Sequence, residues 1–326
     1  MAKAGSWKGI LKADPTDWLL EDENPVVRLW ALRDLVGASE KEVEAARTSA
    51  IRSEVVREVF RLQKPEGHWE GSHNMHSPHY RSTIYQLTLL ADMGLKASDK
   101  RITKGVEAVL KTQREDGGFP GHDPRRCAYG PYDIGLIVRF MHQFGLGDDP
   151  RVVRMHEWIE VNQIPEGGWV GVKVICNPMP RGCLNSTANV LWGLATSNHA
   201  QRKVARKGID FLSRVMRSPK LRWDTRKFSY PQFWNFWIDD IKLAEIYLGL
   251  GISPMNRALK GSLKNILMLQ EKDGRWIEQN GNFPVRELKE FFPRKGQPSK
   301  WVTAKAMAAL RRAHGQSGRS IAAADR

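Results

Sequence analysis

The sequence predicts an all-α protein made of repeated helical hairpins, and three observations carry that prediction. The phrase Gln-x3-Gly-x-aromatic occurs four times, at 63–69, 113–119, 163–169 and 270–276. Its glutamines lie 50, 50 and 107 residues apart, and near the middle of the long gap Arg217-x3-Leu221-Arg222-Trp223 keeps only the tryptophan. An apolar run at helical spacing precedes the phrase, as with Val106, Val109 and Leu110 before Gln113, which puts the glutamine in a helix's last turn. A turn phrase recurring every ~50 residues describes stacked supersecondary units.

Each residue of the phrase has a structural use. Glycine stops the helix by adopting a turn conformation without a Cβ clash. The aromatic face can cover the end of a neighbouring helix, and the glutamine amide can satisfy backbone groups orphaned where a helix ends. These residues therefore read as joints between hairpins rather than as an active site.

The elements follow in order. Residues 1–23 read as an irregular arm with Trp7 and Trp18 as anchors. Asn24-Pro25 opens a helix bearing Val26, Leu29, Trp30, Leu32 and Leu35, and Gly37 closes it. A second helix is expected over 39–62. Inner helices are expected at 80–93, 129–144, 183–195, 233–248 and 299–313, and outer helices at 100–112, 150–162, 200–216 and 254–269. Links such as Gly145 to Pro150 and Gly249 to Pro254 end one helix and begin the next. The expected division is an arm (1–23), one repeat domain (24–314) and a disordered tail (315–326) rich in Gly, Ser and Ala.

Composition bounds the function. Hydrophobic residues at 41% and 12 tryptophans supply a core. No run approaches the ~18 apolar residues of a membrane span, and residues 1–8 lack a secretory stretch, which points to the cytoplasm. Three cysteines suit a reducing compartment better than a disulfide framework. The net charge of +15 is concentrated over 202–227, where ten Lys/Arg face Asp210 and Asp224. That stretch suits peripheral contact with an anionic membrane, or is a solvated helix face. No groove-reading motif accompanies it, which makes nucleic acid the least favoured partner.

The Gln-x3-Gly-x-aromatic phrase resembles the QW motif of the prenyltransferase and squalene-cyclase repeat superfamily, over residues 63–276 directly. The resemblance implies a terpenoid-cyclase-like α/α toroid of about 11–12 helices around a cavity that holds isoprenoid chains. Class II terpene cyclases start carbocation formation with a protonated aspartate in an Asp-x-Asp-Asp motif. Trp237-Ile238-Asp239-Asp240 resembles it at the second and third aspartates, with Trp237 at the first. Adjacent buried carboxyls can raise one another's pKa, as a general acid requires, or can pair with Lys242 or an arginine as structure.

Other candidate residues gather in the loops before inner helices. The first loop holds His68, His73, His76 and His79, and the second holds His122, Asp123, Arg125, Arg126 and Cys127, with Tyr129, Tyr132 and Asp133 just beyond. The third holds Cys176 and Cys183. Cys127, Cys176 and Cys183 with His76 could make a tetrahedral zinc site, or be buried thiols and a loop histidine. Protein prenyltransferase β subunits, which the repeat also resembles, bind zinc through Asp-x-Cys and a distant His. Asp123 and Cys127 have a different spacing, so those ligands do not carry over. Tyr129 and Asp133 join Asp239 and Asp240 as catalytic candidates. His79, Arg81, Arg125 and Arg126 could hold a diphosphate, and Phe233, Trp234 and Trp237 could line a cavity for an isoprenoid or a cation.

The leading expectation is a terpene-cyclase or prenyltransferase-like protein binding an isoprenoid or other apolar chain, with acid- or metal-assisted chemistry. Two alternatives stand beside it: a non-catalytic toroid binding lipid or protein, and an (α/α)-barrel enzyme acting on an acidic polysaccharide.

Overall fold

The computed structural model describes residues 7–71, 75–119, 130–171, 182–197, 202–216, 227–232, 238–280, 283 and 285–324, the side chains of 202 and 316–324 apart. In chain order the helices are α1 (Thr16–Leu19), α2 (Pro25–Ala31), α3 (Glu40–Ile51), α4 (Glu54–Arg61), α5 (Thr83–Asp92), α6 (Lys100–Leu110) and α7 (Gly130–Phe144). There follow α8 (Pro150–Val161), α9 (Leu184–Leu194), α10 (Arg202–Met216), α11 (Asp240–Gly249), α12 (Arg257–Met268) and α13 (Lys300–Ala324). No strand occurs among the described residues. Packing divides the chain into two compact units, residues 55–225 and residues 1–54 with 226–326.

Three boundaries differ from the sequence expectation. The helix expected over 39–62 is broken at Arg52-Ser53, where the Ser53 hydroxyl donates to the Ala50 carbonyl (2.6 Å) and competes with the helical bond. The helix expected from 233 begins at Asp240, because extended Asp239 caps it. The tail expected to be disordered continues α13 to Ala324, consistent with the helix propensity of its alanines outweighing Gly315 and Gly318.

In the unit of residues 55–225, α7 packs between α5 and α9, and α6, α8 and α10 pack on the outside of these three. The inner helices α5 and α9 are buried at every residue, whereas the outer ones bury one stripe. On α10, Val204, Ile209, Phe211 and Leu212 are buried while Lys203, Arg206, Lys207 and Arg214 stay exposed. The degenerate fifth phrase at 217–223 lies outside the described residues.

The first three copies of the phrase build the same glutamine joint. Gln63 Nε2 donates to its own Gly67 carbonyl (2.7 Å) and to Arg101 on α6 (3.0 Å). Gln113 does the same to Gly117 and Arg151, and Gln163 to Gly167 and Val204. The indole N–H of Trp69, Trp169 and Trp276 donates back to the carbonyl ten residues upstream, on Val59, Ile159 and Ile266, at 2.7–2.8 Å. Their backbone N–H groups donate to Thr83, Thr187 and Thr303 hydroxyls. The tryptophan thus clasps the helix before it and the first turn of the inner helix after it. Glycine is required twice over at the phrase's centre. Gly67, Gly117 and Gly167 have φ of 98°, 86° and 98°, and a Cβ on them would lie 2.2–2.5 Å from a carbonyl oxygen of the next outer helix.

Helices α7 and α9 touch backbone to backbone. A Cβ on Gly135 would sit 2.2 Å from the Asn189 carbonyl carbon, and one on Gly193 would sit 2.5 Å from the Gly135 oxygen. Gly135→Ala is expected to cost at least the ~1–3 kcal/mol of an overpacked core, read as a lower urea midpoint. An unchanged midpoint would mean that the helices separate freely. Beside this crossing a buried ion pair spans the inner helices. Arg139 on α7 donates to Asp92 on α5 (2.5 Å) and to Gln143 (2.8 Å), and its guanidinium lies 3.8 Å from the Trp192 ring centroid on α9.

In the other unit α2 pairs with α3, α11 with α12, and α13 packs on α2, α11 and α12. Its core holds an aromatic cluster in which Tyr230 stacks on Trp301 (4.7 Å, 2°) and Trp30 meets both edge-on.

Candidate active site

Each unit carries one group of titratable side chains equipped for proton transfer. In residues 55–225 it forms where the loop before α5 meets the first turn of α7. That loop makes a tight return: the Pro78 carbonyl accepts from Arg81 and Ser82, Met75 from Ile84, and Tyr80 from the Gln86 side chain (2.6 Å). Tyr80 adopts φ 68°, a left-handed conformation costly for a tyrosine. The return delivers His76 into the interior.

His76 and Asp133 are both 4% exposed, and His76 Nδ1 meets Asp133 Oδ1 at 2.5 Å. Because an ionised carboxylate only accepts, this contact assigns the proton to Nδ1 and leaves Nε2 as acceptor. His79 Nε2 approaches that atom at 2.9 Å, and the Tyr85 hydroxyl lies 3.5 Å away. Tyr132 packs edge-on against His76. Burial pushes the Tyr85 phenol well up, with the Tyr132 and Asp133 charges adding to it, and burial likewise raises Tyr132. Both therefore stay protonated at neutral pH. Half-buried His79 and buried His76 thus stand ring nitrogen to ring nitrogen, with Asp133 on the opposite nitrogen of His76.

The second group lies at the start of α11. Asp239 caps the helix, its Oδ1 accepting the Lys242 backbone N–H at 2.7 Å. Its Oδ2 is buried with no hydrogen-bond partner. Burial, followed by the Asp240 and Glu245 charges, outweighs that bond and raises the Asp239 pKa to about 7. Asp240 serves otherwise: it accepts from Ser262 (2.7 Å) and Asn265 (3.2 Å), tying α11 to α12. Burial also lifts Glu278 in this unit to about 7.

The sign of the resulting pH dependence follows. Both carboxyls have folded values above their unfolded ones, so their contribution to stability is complete below pH ~4 and is lost as pH rises through ~7. Unfolding free energy should fall between about pH 4 and pH 7 and level off above, with Asp239 contributing at most roughly 4 kcal/mol. Asp239→Asn should flatten that decline in paired melts; an equally steep decline would place the Asp239 pKa near its ordinary value.

The sequence profile of the squalene-hopene cyclase C-terminal domain matches residues 72–250, more than half of the chain. The chain belongs to that family. Its fold class is the family's α/α toroid, and the match to the squalene-hopene cyclase domain spans both the His76–Asp133 group and Asp239. No curated protein matches the chain. Among solved structures it is similar to a protein from Actinoplanes, with 16% identity, TM-score 0.43, 89% of this chain and 90% of that one covered. It is also similar to the type II terpene cyclase MstE from Scytonema in complex with geranylgeranyl dihydroxybenzoate, with 15% identity, TM-score 0.32, and 83% and 98% covered. A third likeness is to a UGL variant with dGlcA-Glc-Rha-Glc, with 15% identity, TM-score 0.42, and 91% and 86% covered.

Against this family frame the sequence candidates divide clearly. His76, His79 and Asp133 come together, and Asp239 stands as a buried acid. His76, the histidine expected at a metal, contacts Asp133 and His79. Cys183 is disulfide-bonded, which contradicts the expectation of three reduced thiols. Among the described residues no group of three or more His, Cys, Asp or Glu is arranged to hold a metal. Arg81 pairs with Glu70 at the surface. Cys127, Cys176, Tyr129, Arg125, Arg126, Phe233, Trp234 and Trp237 lie outside the described residues. No described helix is long and apolar enough to cross a membrane. Sequence reasoning missed Tyr85, whose only signal was a tyrosine on an otherwise aliphatic helix.

Proposed function

We propose that the chain binds an isoprenoid or similar apolar molecule and starts acid-catalysed chemistry on it with Asp239. The observation that supports this reading is the state of that carboxyl: dry, protonated in part at neutral pH, and with one oxygen uncommitted. Asp239 also occupies the second aspartate position of the class II cyclase motif. An acid with a pKa near 7 is matched to an oxygen such as an epoxide or allylic alcohol, whose protonation needs less driving force than that of an unactivated alkene. Incubation with oxygen-bearing isoprenoids and product analysis by mass spectrometry is the test. Asp239→Asn should lower turnover by about 100-fold or more, and wild-type turnover should fall as pH rises past 7. Unaltered turnover in that variant would exclude the acid role.

A second reading rests on the Asp133–His76–His79 relay beside Tyr85. A general base next to a protonated phenol suits abstraction of a proton beside a carboxylate, and the +15 charge suits an acidic polysaccharide. Release of unsaturated uronate products from such a polymer, abolished by His76→Ala, would favour it over the cyclase reading.

A further inference from the structure

Gln232 is 1% exposed, and among the described residues neither its amide oxygen nor its amide nitrogen has a hydrogen-bond partner. A buried amide with both functions idle costs stability, and native interiors rarely keep one without a purpose or an occupant. The backbone that carries it is firmly held. Phe228 N–H donates to the Gln279 side chain (3.0 Å), Gln279 N–H returns to the Phe228 carbonyl (2.9 Å), and Tyr230 N–H donates to Glu278 (3.3 Å). Tyr230 is anchored by its stack on Trp301. The amide thus follows directly on a backbone stretch, Phe228 to Tyr230, that is tied to residues 278–279 and Trp301. Nearby Glu278 is itself raised towards neutrality by burial, which marks the surroundings as dry.

We infer that Gln232 is the recognition group of a subsite for a ligand head that both donates and accepts a hydrogen bond, an alcohol, carboxylic acid or carboxamide on an apolar chain. A primary amide offers two N–H donors and a carbonyl acceptor, which such a head complements and a hydrocarbon does not. The inference rests on the apolar-chain reading and adds to it a requirement for polarity at one end of the molecule. It also explains why an unsatisfied amide persists: the cost in the free protein is recovered when the ligand's head is bound.

Farnesol, farnesoic acid and the hydrocarbon farnesene test it against the wild-type chain and Gln232→Leu, by equilibrium binding and thermal melts. Wild type should bind at least one polar-headed probe about tenfold or more tighter than farnesene, and the alcohol and acid arms show which head it prefers. Gln232→Leu should bind the preferred probe and farnesene alike, while its ligand-free Tm rises by about 2 °C. A lower ligand-free Tm in the variant would show that the amide does structural work, and the subsite would be withdrawn. Equal wild-type binding of all three probes would remove the subsite and leave the apolar-chain reading in place. Failure of all three to bind would overturn both.

Discussion

Trp169→Ala should cost about 3–5 kcal/mol, the range for deleting a fully buried large aromatic side chain. The indole is 0% exposed, donates to the Ile159 carbonyl at 2.8 Å, and lies against α10, where a Cβ on Gly208 would stand 3.0 Å from the ring. Its loss empties a joint and orphans that carbonyl together. Trp169→Phe keeps an aromatic ring in the joint and loses the N–H with the rest of the pyrrole ring, so a smaller cost of about 1–3 kcal/mol is expected. Urea unfolding of both variants provides the measurement. A near-neutral Trp169→Ala would mean that the recurring clasp is incidental to the fold.

Arg139→Met should cost about 3–5 kcal/mol for a different reason. The substitution preserves much of the side-chain volume but takes from the Asp92 carboxylate, 4% exposed, the guanidinium that meets it, leaving the neutral Gln143 amide (3.2 Å) as a much weaker donor. Adding Asp92→Leu should recover most of that loss, since two apolar groups need no compensation inside the helix layer. The double-mutant cycle should therefore show strong coupling. Additive losses would assign the cost to the Trp192 contact instead of the ion pair.

Much of the fold was legible because its joints are local. In its first three copies Gln-x3-Gly-x-aromatic holds its hydrogen bonds within a few residues or within one repeat, so spacing alone exposed the hairpins. Asn24-Pro25 capped α2 as read, with Asn24 accepting from Val27. The break at Ser53 was not legible, because a hydroxyl that competes with the helix leaves no Gly or Pro. Arg139 was hidden inside an apolar pattern whose partner lies 47 residues away.

The candidate site was legible in its residue types and not in its pairings. His76, His79 and Asp133 were all singled out, yet the contact that gives them chemistry spans 57 residues and depends on the return at Tyr80. Asp239 was found through its motif position, while its separation from Asp240 in role depends on Ser262 and Asn265 on another helix. Gln232 had no signal at all, since an orphaned amide is a property of surroundings.

The last glutamine behaves unlike its counterparts. Where the others reach forward to a following outer helix, Gln270 Nε2 reaches the Ala13 carbonyl (2.9 Å), and its Oε1 receives the Lys12 N–H (2.8 Å). Gly274 fits beneath Ala13 as the other glycines fit beneath their outer helices. The opening segment thus does for the final repeat what a successor would do in an open-ended array, where terminal units fray. Detaching residues 12 and 13 would therefore uncover a clasp 257 positions downstream, which couples the stability of the opening segment to that of the last phrase.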